Sequence, residues 1–184
     1  MTFIGDLMSE PWLKAYMFPA SNKMTLTIKG VRKQEVSFDG NDKEEHTVMS
    51  FEEIAPELTL SKVNIIPIIK MLGNDVKAWQ GRRVTFFTTT EIMPHPMRKD
   101  EPCIRVYGSP DIDDDMTCEW TPPKRRKLVQ KLKVTGLKAY LKVIKLSSTD
   151  KLPAYKDRFT ALHKVGEISD EDLKVILAEI EERR

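Results

Sequence analysis

A chain of 184 residues with 40% hydrophobic content and a formal charge of +2 can bury one ordinary core, with room for a small second unit. No window approaches the roughly 18 apolar residues of a membrane span, and the opening MTFIGDLMSEPW lacks the basic start and apolar centre of a signal peptide, so a soluble cytoplasmic protein is expected. Cys103 and Cys118, without CxxC or Cys/His spacing, are expected to be reduced thiols, forming neither a disulfide nor a zinc site.

Residues 1–20 carry bulk without period, with Phe3, Leu7, Trp12, Leu13, Tyr16 and Phe18 among them. They read as an arm that packs back on the domain or on a second copy, Trp12 and Phe18 capping an open end. From Lys23 to Val31 the chain alternates, with Met24, Leu26 and Ile28 on one face and Thr25, Thr27 and Lys29 on the other, the period of a half-buried strand. Gly30 within it predicts a bulge or a bend of the kind that lets one strand serve two sheets. Val36 and Phe38 lead to a turn at Asp39-Gly40-Asn41-Asp42. Residues 46–53 return from it, Thr47, Met49 and Phe51 alternating against Val48 and Ser50.

Leu58 and Leu60 mark a third strand, after which the period changes. Ile65, Ile66, Ile68, Ile69, Met71 and Leu72 are too dense for alternation and fit a helix of about two to three turns. With Asn64 as its N-cap, Pro67 falls in the first turn, where amide protons lack helical partners. Gly73 then supplies the left-handed stop. Trp79 and Gly81 turn the chain into a strand over Val84–Thr90, in which Phe86 and Phe87 point to opposite faces, one ring inward and one exposed. Beyond the proline-broken loop MPHPMRKDEP, Cys103–Tyr107 is the hairpin partner. Its Ile104 and Val106 share one face, and Cys103, Arg105 and Tyr107 the other.

Three strands, a helix and two strands is the order of a five-stranded partly open Greek-key barrel, the OB-fold. The expected architecture is mainly β with α. It has an N-terminal arm over 1–20, an OB-fold-like barrel over 21–110, an acidic-to-basic linker over 111–127 and a small helical region over 128–184. The segment LTLSKVNIIPIIKMLGNDVKAWQGRRVTFF, followed by CIRVYG, resembles a small family of bacteriophage and prophage proteins. Their pattern is a short strand, an Asn-bearing helix, Gly-x-Asp, Trp-x-Gly-basic-x-Val, and a strand ending in Ile-Arg-Val. The resemblance covers roughly residues 10–108, departs from the pattern at Pro67, where a helix-former is usual, and does not extend past 110. It implies an OB-fold module of a phage replication or recombination region, working in the cytoplasm of an infected bacterium and binding single-stranded DNA.

Charge divides the chain more sharply than hydrophobicity. Residues 1–110 are neutral overall, 111–119 carry net −5, 120–165 net +11 and the last 19 residues net −4. The basic block opens at Lys124, Arg125, Arg126 and Lys127, behind a linker containing Pro122 and Pro123. In LVQKLKVTGLKAYLKVIKLSS the leucines fit helical spacing. Alternation also allows a strand, and Gly136 interrupts either. Tyr155, Phe159 and Leu162 form an apolar stripe, Gly166 a break, and Ser169 with Asp172 a capping-box variant opening a last helix with Leu173, Ile176, Leu177 and Ile180. Helices this short need a surface to dock on: the barrel, the preceding helix or another subunit.

Nothing in this pattern points to catalysis, to a metal or to a cofactor. Asp113-Asp114-Asp115 lacks the spacing of a calcium loop and reads as a solvated linker. His46, His95 and His163 are scattered without nucleophile partners, and no phosphate-binding glycine loop is present. A binding role has a definite mechanism, because unpaired bases stack on aromatic rings while Lys and Arg follow the phosphates. The candidates are Phe51, Trp79, Phe87 and Tyr107 for rings, Lys62, Arg82, Arg83 and Arg105 beside them, and the Lys124, Arg125, Arg126, Lys127 cluster. Trp79 has a strong structural competitor, since a Trp ahead of a Gly turn anchors a helix to a sheet. The alternative is a protein-interaction module that grips a replication, recombination or host-defence protein, which the neutral barrel favours. Self-association stays open.

Overall fold

The computed structural model describes residues 10–37, 43–90, 101–121, 127–165 and 167–183. The expected turn at 39–42, the loop 91–100 with His95, the cluster Lys124, Arg125 and Arg126, Phe38, Gly166 and the first nine residues lie outside the described residues. The chain divides into two compact units, Met1–Lys133 and Val134–Arg184.

The first unit is built on a seven-stranded sheet in the order β3-β2-β1-β4-β5-β7-β6. The strands are β1 Lys23–Val36, β2 Glu44–Phe51, β3 Leu58–Leu60, β4 Arg83–Thr89, β5 Cys103–Ser109, β6 Met116–Trp120 and β7 Leu128–Val134, with helix α1, Lys62–Leu72, between β3 and β4. β1 serves two partners, as the bulge at Gly30 requires. Its first half pairs antiparallel with β4, from Lys23 opposite Phe87 to Thr27 opposite Arg83. Its second half pairs antiparallel with β2, from Ile28 opposite Phe51 to Val36 opposite Glu44, and the register shifts between Ile28 and Gly30. The sheet is not a closed barrel and has seven strands, not five.

The two extra strands correct the expected linker and the helical reading of 128–134. In β6 the inward positions Met116, Cys118 and Trp120 are interleaved with polar Thr117 and Glu119. They pair across the hairpin with Leu132, Gln130 and Leu128 of β7. Cys118 and Leu132 are fully buried in the same core as Leu26, Ile28, Met49, Ile68, Val84, Phe86 and Val106, which is why a two-residue period wins over helical spacing there. The residues before the sheet pack back on it: Leu13 is buried, Met17 and Phe18 rest against the core, and the Leu13 amide donates to the Glu57 carbonyl at 2.7 Å.

Helix α1 starts earlier than its sequence suggests. Ser61, not Asn64, is the N-cap, and the Asn64 and Ile65 amides both donate to the Ser61 carbonyl at 2.9 Å. Pro67 therefore sits inside the helix and removes the donor the Val63 carbonyl would meet. The Asn64 side chain ties the helix to the sheet instead of capping it. It is buried, and its Nδ2 donates to the Ile104 carbonyl of β5 at 3.2 Å. Gly73 ends the helix as expected, at φ 86° with its amide donating to the Ile69 carbonyl.

The second unit contains α2 Gly136–Leu146, α3 Leu152–Lys164 and α4 Asp170–Glu182. Ile144, Leu152, Phe159, Ile168, Ile176 and Ile180 form its core, so the last two helices find their partner in the preceding helix. The Ser169 hydroxyl accepts from the Asp172 amide at 3.1 Å, the cap that the sequence signals. At the other end of the bundle Arg183 donates to the carbonyls of Ile144 and Ser147, supplying hydrogen bonds and positive charge where α2 ends.

Candidate nucleic-acid interface

Two-residue periodicity and register together decide which rings face out. Phe86 on β4 is buried, and Phe51 at the end of β2 meets it edge-on with centroids 5.7 Å apart and an interplanar angle of 76°. Phe51 is thus a core residue, opposite Ile28 on β1, and not a stacking platform. Trp79 is also in the core, at 2% exposure, with its indole Nε1 donating to the Gly73 carbonyl at 2.9 Å. Both are corrections to the candidate ring set.

Phe87 and Tyr107 take the opposite face. Phe87 lies across from Arg105 on β5, Tyr107 follows two residues on, and the two half-buried rings meet edge to face at 5.5 Å and 72°. Arg105 is half-buried beside them, its Nη1 donating to the Ile104 carbonyl at 2.8 Å. Burial pushes its pKa down, against a smaller opposing effect of Cys103, but a guanidinium stays charged at neutral pH. The sequence reading misses Lys23. It is opposite Phe87 in the β1–β4 ladder, and its ammonium sits 4.0 Å from the centre of the Tyr107 ring. Thr25 is exposed beside them, and its hydroxyl lies 2.8 Å from that of the buried Thr85.

Among the described residues, the other basic candidates lie elsewhere or are already paired. Lys62 is exposed in the first turn of α1. Arg83 is engaged by Asp111: its backbone amide donates to Oδ2 at 2.6 Å, and its Nη2 and Nε donate to Oδ1 at 2.6 and 3.1 Å. Arg82 Nη2 reaches the Asp111 carbonyl at 3.4 Å. Lys127 pairs with Glu119 at 2.5 Å and Lys133 with Asp115 at 2.6 Å. The acidic segment is therefore not simply a solvated linker, since three of its carboxylates neutralise bases of the sheet. In the second unit Glu179 and Glu181 of α4 pair with Lys145 and Lys156, so part of the basic block is compensated there as well. Exposed pairs of this kind contribute little stability, about 0–1 kcal/mol each.

Asp111 is the exception in burial. Burial alone would raise its carboxyl pKa, but the Arg83 amide and guanidinium, with the field of Arg82, outweigh it and hold it below the usual carboxylate range. A depressed folded pKa means stability that is present above the unfolded value of about 3.9 and is lost as pH falls through the folded value. In urea titrations from pH 6 to 3, the wild-type midpoint is expected to drop more steeply below about pH 4 than that of Asp111→Asn, which has no such proton to bind. Parallel curves would remove Asp111 from the acid response.

No family model, no curated protein and no solved structure matches this chain. Among the described residues, no helix is long and apolar enough to cross a membrane.

Proposed function

We propose that the outer face of β1, β4 and β5 binds single-stranded DNA without catalysis, in the manner of a phage-type protein of replication or recombination. The observation that carries this reading is the grouping of two half-buried rings, Phe87 and Tyr107, with Arg105 and Lys23 on one sheet face. Two rings that meet edge to face leave ring surface on which a base can stack, and Arg105, with Lys23 once it leaves the Tyr107 ring, can meet the phosphates of a stacked strand. The order β3-β2-β1-β4, in which the fourth strand returns beside the first, is that of a Greek key. With the helix between β3 and β4 it supports an OB-like ancestry for the first five strands, extended by the β6–β7 hairpin.

Fluorescence anisotropy with labelled oligo(dT) at two salt concentrations tests the reading. Binding that weakens steeply with salt is expected. Tyr107→Ala should bind about five- to a hundredfold more weakly, the ~1–3 kcal/mol of one stacked base, while Tyr107→Phe, which keeps the ring, should bind like the wild type. No binding at low salt would sink the reading and favour a protein partner.

A further inference from the structure

We infer that Lys23 is a displaceable cover on the Tyr107 ring, which a base pushes aside and a phosphate then captures. The inference rests on the nucleic-acid reading above and concerns the regulation of that face. Lys23 is exposed at the first position of β1 and lies opposite Phe87, yet its stem carries the ammonium past that neighbour to a point 4.0 Å over Tyr107. Phe87 already meets the same ring at 5.5 Å and 72°, and the ammonium covers a Tyr107 face that a base would need.

Relative strengths decide what happens when a strand arrives. An exposed cation–π contact is worth a factor of about two to five in an equilibrium constant. A base stacked on an aromatic side chain is worth a factor of about five to more than a hundred. The base therefore displaces the ammonium. Once released, the ammonium remains on its four-carbon stem beside the stacked base, within reach of that nucleotide's phosphate. The contact is an intramolecular competitor at high salt, where phosphate attraction is screened, and an asset at low salt, where it is not.

The signature is a crossing of two lines. Oligo(dT) affinity is measured from about 50 mM to 1 M salt for the wild type, Lys23→Ala and Lys23→Arg. Lys23→Ala should have a log K against log salt slope shallower by about 0.7, the loss of one phosphate contact on a single strand. It should bind more weakly at low salt but about two- to fivefold more tightly at the high end, where only the lost cover counts. Lys23→Arg keeps both charge and cover and should follow the wild type. If Lys23→Ala is weaker at every salt concentration, Lys23 is a phosphate contact that covers nothing. An unchanged slope makes it a bystander. Either result overturns the inference while leaving the stacking face standing, whereas a wild type that fails to bind the oligonucleotide removes the reading on which it rests.

Discussion

Replacing Trp79 by Ala is expected to cost about 3–5 kcal/mol of unfolding free energy, the usual range for emptying a buried aromatic site. The indole is 2% exposed in the core that also holds Ile68, Val84 and Phe86. It ends the short 3-10 turn Val76–Trp79, and its carbonyl accepts the Arg82 amide at 3.0 Å, so it stands at the junction between α1 and β4. The Nε1 bond to the Gly73 carbonyl ties it to the residue that stops α1. Trp79→Phe would keep much of the apolar contact and lose that donor, for a cost nearer 1–3 kcal/mol. Urea unfolding of both variants checks the ordering. A change within about 0.5 kcal/mol for Trp79→Ala, the size expected of a surface site, would contradict its place in the core.

Trp79 also illustrates how much is legible in the sequence. Its position ahead of Gly81 suggests an anchor between helix and sheet, and the anchor is there, but as a packing device that removes it from the binding candidates. Gly30 and Gly73 are readable because each supplies a backbone feature, a bulge and a left-handed stop, that local sequence dictates. Ser169 is readable for the same reason. β6 is not, because its three inward residues, Met116, Cys118 and Trp120, follow a run of aspartates that looks like solvated linker. β7 is ambiguous because Leu128 and Leu132 are four apart, which satisfies a helix face and a strand face equally. Pairing partners resolve both cases, and they are distant in sequence. The proposed binding face fails to announce itself for a related reason. Lys23 and Tyr107 are 84 positions apart and meet only through the β1–β4–β5 register, while Phe51 and Phe87 look alike until pairing of β2 and of β4 with β1 assigns one inward and one outward.

Gly108→Ala should be the most damaging single-methyl change in the sheet. A Cβ at Gly108 would overlap the Lys133 carbonyl oxygen and lie 2.7 and 2.8 Å from the Lys133 carbonyl carbon and amide nitrogen. These are backbone atoms of β7, so no flexible side chain can yield, and the whole strand must move away from β5. β7 carries Leu132, fully buried in the core, and Gln130, whose Nε2 donates to the Val106 carbonyl of β5. Shifting it loosens both contacts together with the β6 ladder that depends on β7. Overpacking typically costs about 1–3 kcal/mol, and a clash with main chain belongs at or above the top of that range. The sign is diagnostic. At a strand position with ordinary space, Gly→Ala would stabilise by about 0.4–1 kcal/mol through the unfolded chain, so a rise in the urea midpoint would show that β5 and β7 do not approach this closely. Hydrogen exchange gives the location: amides of β6 and β7 should lose protection in Gly108→Ala, while those in the β1–β4 ladder keep theirs.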